Sequence, residues 1–581
     1  MPKTTTNNNN DKNDNNDDNK HGNRSYKDPR RELHPSTAVI TAGYRSDWSM
    51  AAIKAPIFRS STFEFANAGD GELYFARAYN LAPLDDGVKP GLIYSRLNNP
   101  NTEMLEDKMV ALERGSAYAS AFPSGMSAIS TSVMALVPQG GHILYVSQVS
   151  YQMLWYTVWQ KHPPPVLTYH TSCHPCNHSH DACLFVHFQS SPVYGGTYFF
   201  LKTICPDRLG VTTQAVDTSD LHKVATAIQN TPRLDAIYLE SPANPTLRLT
   251  DIQAVRDLAR QANPNCIIMV DNTLMGPVFQ QPFLHGADVV LYSATKFIGG
   301  HSDLIAGIVL TQREDFINQI NGYRTILGPV VAPDTCWMLA RSLETLWMRM
   351  ERQAEKAQKV AAALANHCRV DRVLFPGFYS CDGGDQRRVE QELYKRQCTG
   401  TGSMISIVVR PNTRRAAYTV LDGLRLAHLA VSLGSTESLV QHPRSMTHSD
   451  MSHADLDAFG ICEGMLRISV GLEASEDLIQ DLLNALDLIR DEHEDNGNTA
   501  DGNRVKSDDP TEKAIEERDG TASEKSIHKE GSRHGGGRVI LPHLALCCLM
   551  LLVCVFPCSC QAGSAADVDA RFLVGTGIYD M

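Results

Sequence analysis

Between Thr102 and Val309 the chain alternates between two periods. Met104, Leu105, Met109, Val110 and Leu112 recur at helical spacing and predict a helix over Thr102–Arg114. The same spacing predicts helices at Ser127–Val137, Leu221–Gln229 and Ile252–Ala262. Short apolar runs between them predict strands at His142–Ser147, Val211–Val216, Ala236–Ser241, Ile267–Asn272 and Val289–Thr295. Helices alternating with buried strands imply an α/β fold, a mostly parallel sheet with helices on both faces. Ligands of such sheets bind outside the C-terminal strand ends. After about residue 335 the pattern changes. A long helix, Trp337–Cys368, is expected to lead into a smaller α+β unit ending near Arg490.

The strand ends carry chemistry. Val289–Tyr292 delivers Ser293, Thr295 and Lys296 to one place, followed by Gly299-Gly300. Two hydroxyls, an amine and a glycine pair are what a pyridoxal phosphate (PLP) site needs. The amine forms a Schiff base with the cofactor aldehyde, the hydroxyls hold its phosphate, and the glycines let the backbone pass close by. Asp271 ends the preceding buried run, where a carboxylate can keep a pyridine nitrogen protonated. Ser124-Gly125-Met126 opens the helix Ser127–Val137, and backbone N–H groups at such a start bind phosphate.

Composition narrows the picture. The 581 residues are 43% hydrophobic and 20% charged with net charge −12, which argues against nucleic acid as a partner. Residues 1–35 are rich in Asn and Asp and cannot bury a core. The remaining chain divides into an N-terminal arm (36–97), a cofactor-binding domain (98–334), a C-terminal domain (335–490), a polar linker (491–538), an apolar segment (539–556) and a tail (557–581). No apolar run follows Met1, so no secretory signal is expected. The segment 539–556 is near the lower length limit of a membrane span. It reads equally as a C-terminal membrane anchor or as the product of a mispredicted gene end. Cys205, Cys266, Cys336, Cys368, Cys381, Cys398 and Cys462 show no paired spacing, which favours reduced thiols and a cytoplasmic location.

Residues 148–190 do not fit their surroundings. The run His142–Ser147 should lead within a few residues to Tyr194-Gly195-Gly196-Thr197, yet about 40 residues intervene. Cys173, Cys176, His174, His178 and His180 invite a zinc reading, but the spacing is too cramped for a familiar finger, and no metal is expected. Val149-Ser150 can be encoded as a splice donor and Phe188-Gln189 as a splice acceptor. Removal of 149–189 restores a short connection, so this stretch is read as a retained intron translated in frame.

Seven motifs occur in order: Tyr94-Ser95-Arg96 with Asn99-Pro100; Ser124-Gly125-Met126; Tyr194-Gly195-Gly196-Thr197; Glu240 to Thr246; Asp271-Asn272-Thr273; Ser293 to Lys296; and Arg467 to Glu473. As a set they resemble the Cys/Met-metabolism family of PLP enzymes, which includes cystathionine γ-synthase, cystathionine γ-lyase, methionine γ-lyase and O-acylhomoserine sulfhydrylases. The resemblance runs from about Ala38 to Ile489. It implies the PLP-dependent transferase fold type I, aspartate aminotransferase-like. It implies that Lys296 carries the cofactor and moves protons, and that Asp271 pairs with the pyridinium. Gly125, Met126, Ser293 and Thr295 would bind the phosphate, and Tyr194 would stack on the ring and exchange a proton. Asn244 would lie near the cofactor hydroxyl. Arg467, with Ser432 beside it, would grip the substrate α-carboxylate. Glu437 matches a glutamate common in γ-lyases. Tyr94 and Arg96 would reach a neighbour's phosphate, making a homodimer the minimal unit and a homotetramer the expected assembly.

The resemblance implies a small sulfur amino acid as substrate. Ile93 stands where cystathionine-handling members often carry an acid, which favours an uncharged distal group such as that of methionine. Gly196 stands where typical methionine γ-lyases have a cysteine. Three readings follow: γ-elimination on methionine, cystathionine or homocysteine; γ-replacement on an O-acylhomoserine; or a non-catalytic product whose site the 148–190 insertion disrupts.

Overall fold

The helical and apolar runs of residues 98–334 build a seven-stranded sheet in a computed structural model that describes residues 33–79, 81–82, 91–146, 193–231, 233–377 and 384–490. These residues fall within one compact unit ending at Asn496. The strands are β1 (Tyr118–Phe122), β2 (His142–Val146), β3 (Thr212–Val216), β4 (Ala236–Glu240), β5 (Ile267–Asp271), β6 (Val289–Ser293) and β7 (Gly307–Thr311). Their order across the sheet is β1-β7-β6-β5-β4-β2-β3. Neighbours from β3 to β6 are parallel. β7 runs antiparallel to both β6 and β1. β4 and β5 are buried at every position, as strands covered on both faces must be.

β1 and β7 were not among the expected strands, although Ile308-Val309-Leu310 is an apolar run. Tyr118-Ala119-Ser120-Ala121-Phe122 is mostly small residues, yet it is buried from Ala119 onward against Gly307–Thr311. The helices Leu221–Gln229 and Ile252–Ala262 match the periodicity. The helix expected at Ser127 begins at Gly125, capped by Ser124, whose Oγ accepts from Ser127 N–H at 3.0 Å. β6 ends at Ser293, so Thr295 and Lys296 lie in the turn beyond it.

The single helix expected at Trp337–Cys368 is two, Pro333–Leu343 and Leu346–Ala365. The break has a physical cause. The Ser342 carbonyl, which a continuous helix would offer to residue 346, accepts from Arg349 Nη2 at 3.0 Å and from Thr345 N–H at 3.2 Å.

The second helix packs on a smaller sheet with its own apolar cluster, including Val360, Leu364, Ile405, Ile407, Val440, Leu466 and Ile468. Its strands are β8 (Val370–Leu374), β9 (Met404–Val409), β10 (His428–Leu429), β11 (Leu439–Gln441) and β12 (Met465–Ser469), in the order β10-β11-β12-β9-β8. The Cys/His cluster at 173–180, the stretch 148–190 and the apolar run 539–556 lie outside the described residues. Among the described residues, no helix is long and apolar enough to cross a membrane.

Candidate active site

Glu240, Asp271 and Ser293 end three adjacent strands, with Glu240 opposite Asp271 in register. Asp271 is 9% exposed. Its Oδ1 accepts from Thr273 N–H at 2.9 Å and its Oδ2 from Tyr238 Oη at 3.4 Å. Burial raises this carboxyl above the usual range, while the bonds from Thr273 and Tyr238 oppose the shift. A cation beside it would reverse that rise. Behind it, Asn272 Nδ2 donates to Tyr292 Oη at 2.8 Å, and Tyr292 Oη donates to Glu113. Glu113 is fully buried, and burial lifts its carboxyl to about 8 against the Tyr292 bond.

Lys296 sits in a tight turn, with its N–H on the Ser293 carbonyl at 3.1 Å and its carbonyl accepting from Gly300 N–H at 2.7 Å. Arg349 fastens this turn from the broken helix, Nη1 donating to the Phe297 carbonyl at 2.8 Å. Lys296 Nζ donates to Ser432 Oγ at 2.7 Å. Burial, then the nearby Arg467, lowers the amine to about 8.

The small sheet supplies the opposite wall. Ser432 holds a φ of +90°, a strained conformation for a residue with a side chain. That backbone turns its hydroxyl to Lys296 and its carbonyl to Arg467 Nη2, at 2.6 Å. Gly434, at φ +82°, lies against the lysine turn; a Cβ there would stand 2.7 Å from Phe297 N. Arg467 lies mid-strand in β12, 3% exposed. Its Nη1 donates to Asn244 Oδ1 at 3.0 Å. With its amide turned so that the oxygen faces these donors, Gln441 accepts from the same guanidinium at 3.1 and 3.2 Å. The buried Nε has no partner. Burial lowers Arg467 to about 10, opposed by Tyr194 and Glu240. A buried guanidinium on neutral acceptors calls for an anion.

The helix that begins at Gly125 opens beside Ser293. A Cβ on Gly125 would stand 2.9 Å from Ser293 Cβ and 3.1 Å from its Oγ, so glycine lets the helix start meet the serine hydroxyl. N–H groups of a first helical turn lack partners within the helix. Thr295 is placed differently. Its hydroxyl donates to the Ala306 carbonyl at 3.2 Å and accepts from Ala306 N–H at 3.0 Å, bracing the turn.

Tyr194 presents an exposed ring, and its N–H donates to Glu240 Oε2 at 2.8 Å. A Cβ on Gly196 would come within 2.9 Å of that ring and 3.3 Å of Met126 Sδ, so a larger residue there would have to shift one of these two side chains. Glu437 accepts from Ser302 Oγ and, at 3.1 Å, from Thr436 Oγ1. Burial pushes its carboxyl up, but these hydroxyl bonds outweigh burial and hold it below the usual range.

The bonds of Arg96 run elsewhere. It donates to the Thr325 carbonyl at 2.8 Å, beside an exposed Tyr94. Ile93, expected to bear on the substrate, is 3% exposed and packed inside its own chain. Three positions that contact the candidate residues or the Lys296 turn went unassigned in the sequence. Glu240 was legible by the rule that found Asp271, an acid ending a buried strand. Arg349 was legible as a cation within the apolar stripe Leu346, Met350, Ala354 and Ala357. Gln441 carried no signal.

The donor set fits PLP: an amine near neutrality, a buried carboxyl for a ring nitrogen, a helix start for a phosphate, and a buried arginine for a carboxylate. The family model for Cys/Met metabolism PLP-dependent enzymes matches residues 36–160 and 186–487. The chain belongs to this family. Its cofactor is PLP. The chain is 36% identical over 440 residues to L-methionine γ-lyase of Treponema denticola, covering 75% of this chain and 93% of that protein. It is 34% identical over 452 residues to cystathionine γ-synthase of Mycobacterium bovis, covering 78% and 96%. The crystal structure of cystathionine γ-lyase from Lactobacillus plantarum superposes with a TM-score of 0.62 at 31% identity, covering 79% of this chain and 99% of that one. The fold is therefore the α/β fold of PLP-dependent cystathionine γ-synthases and γ-lyases. The chain is a PLP-dependent lyase or synthase of sulfur amino acid metabolism, and small amino acids are its substrates. The unmatched stretch 161–185 falls inside the suspected insertion.

Proposed function

We propose that this chain is a carbon–sulfur lyase that catalyses γ-elimination on methionine, cystathionine or homocysteine. The observation that carries this reading is the state of Lys296, a buried amine lowered to about 8 by burial and Arg467 and hydrogen-bonded to Ser432. Such an amine exists in both forms near neutral pH, so it can take a proton from Cα and exchange one at Cβ. Bound PLP supplies electron withdrawal at Cα. Asp271 keeps its ring nitrogen protonated, and Gly125, Met126 and Ser293 hold its phosphate, with Thr295 bracing the turn. Arg467 and Ser432 bind the substrate α-carboxylate, and Asn244 orients Arg467. Tyr194 covers the ring and exchanges a proton with the substrate. Glu437 lines the substrate side. The thiol, or hydrogen sulfide from homocysteine, would leave Cγ with a proton, and water would release the remaining four carbons as a 2-oxo acid and ammonia.

Tyr94 and Arg96, exposed on their own chain, complete the neighbour's phosphate site in a homodimer, and two dimers form a homotetramer. The enzyme acts in the cytoplasm. Residues 161–185 are an insertion relative to the family, inside the stretch 149–189 that is read as a retained intron.

Ile93, though buried, places no charge in the arm that carries Tyr94 and Arg96, so a distal ammonium finds no carboxylate at that position. Methionine should then be turned over at least as well as cystathionine. Steady-state release of 2-oxobutanoate from both, by the full chain and by a chain lacking 149–189, tests this. A strong preference for cystathionine removes the substrate argument. γ-Replacement on an O-acylhomoserine is the second reading, favoured by the likeness to cystathionine γ-synthase. Formation of cystathionine from O-acylhomoserine and cysteine, with no 2-oxobutanoate from either thioether, establishes it instead.

A further inference from the structure

One buried carboxyl holds two backbone segments of the site without having been assigned a part in it. Glu240 ends β4 opposite Asp271 and is 5% exposed. Its Oε2 accepts from Tyr194 N–H at 2.8 Å and its Oε1 from Asn244 N–H at 3.2 Å. Tyr194 opens the short helix Gly195–Phe199 with no side-chain cap of its own. Asn244 is the residue whose Oδ1 receives Arg467 Nη1. The two oxygens of one carboxyl therefore fix the backbone under the exposed tyrosine ring and the backbone under the asparagine that orients the guanidinium.

We propose that Glu240 is a positioning residue that sets the Tyr194 ring over the bound cofactor and the Asn244 amide against Arg467. The charged and titratable groups facing it are Asp271 on β5, Tyr238 on its own strand and Arg467 on β12. Burial and Asp271 push its carboxyl well above the usual range, while the two amides and Arg467 pull it back. The role is accordingly that of an acceptor at a fixed place. A carboxyl that loses an oxygen loses one of the two backbones it holds. An acceptor of this kind is hard to replace, because an amide left without a partner in a buried site bears the full cost of desolvation.

The inference rests on PLP as the cofactor and not on elimination over replacement. Its readouts follow the cofactor alone, so they stand whichever γ-substituent leaves. The test uses the full-length holoprotein and its E240Q and E240A variants. PLP affinity is measured by titrating resolved protein, and ring geometry by visible circular dichroism per bound cofactor. E240A, which removes both acceptors, should weaken PLP binding by at least about tenfold and reduce the dichroic signal to less than half. E240Q keeps one carbonyl acceptor and should fall between the two. A residue that merely supports the fold would lower the melting temperature and leave the dichroism of the bound cofactor unchanged. Wild-type dichroism and wild-type affinity in both variants overturn the proposal, whatever their melting temperatures. Should E240A fail to fold, E240Q decides alone, and wild-type values in it overturn the proposal equally.

Discussion

In the large sheet, strands β4 and β5 end on buried carboxyls, Glu240 and Asp271, both raised above their ordinary range by burial. In the small sheet, β12 carries a buried guanidinium, Arg467, which burial lowers to about 10. Each sheet thus holds a group whose charged form is disfavoured where it stands. The two sides meet through the Lys296–Ser432 and Asn244–Arg467 bonds. The difference between them divides the labour. The carboxyl side suits a cationic ring, the guanidinium side suits an anionic carboxylate, and an amino acid carried on PLP presents both at once.

Lysine removal breaks the link between the two sides most severely. Lys296→Ala should lower kcat/KM by at least ~10³-fold, the scale of a lost proton-transfer group. Borohydride should no longer fix cofactor to the protein. Intact mass of the reduced protein checks this, and a cofactor adduct on the variant excludes Lys296 as its carrier.

Arg467→Met attacks the cationic side alone. KM should rise about 30-fold, near 2 kcal/mol of lost carboxylate binding, with a smaller change in kcat. The same variant sharpens the comparison through Lys296. The neutral amine is the form that takes up an aldehyde, so PLP uptake by resolved protein should climb with pH and level off above about 8 in the wild type. Burial is the larger cause of that lowered value and Arg467 the second. Removing Arg467 should therefore move the inflection upward without restoring it to the value of a free lysine. Stopped-flow absorbance across pH 6–10 reads the shift, and an unmoved inflection separates the two groups electrostatically.

The smallest effect lies behind the carboxyl side. Glu113 keeps its proton in the fold up to about 8, against an ordinary 4.5. Between those values the folded chain holds a proton the unfolded chain has lost. Stability therefore falls with rising pH in that window, by up to about 1.4 kcal/mol per unit. Glu113→Gln cannot lose a proton and should flatten this slope. Urea midpoints of both proteins at pH 5 and pH 8 give the comparison, and parallel curves place Glu113 outside the linkage.

Much of this could be read before the structure. A buried strand ending in a functional group is a strong local signal, and it located Asp271, Ser293 and Lys296. The same rule covered Glu240, but an acid has no assigned partner until its neighbours in space are known, and Tyr194 and Asn244 come from other parts of the chain. Arg349 illustrates a second limit. Its place in an apolar stripe was visible, yet its work is done on carbonyls at Phe297 and Ser342, and backbone acceptors leave no mark in a sequence. That is also why one helix was expected where there are two. Ile93 shows the opposite limit: its chemistry was legible, but its burial depends on how the arm folds back.

Tyr194 is made fast by a bond to a residue far downstream, while Val146 is paired with Val216 of β3. For a flexible connection between two fixed posts, the cost of ring closure grows with the logarithm of length and rises by ~0.6 kcal/mol per doubling. Lengthening or trimming such a connection is thermodynamically cheap, so both posts can keep their places across a wide range of connection lengths.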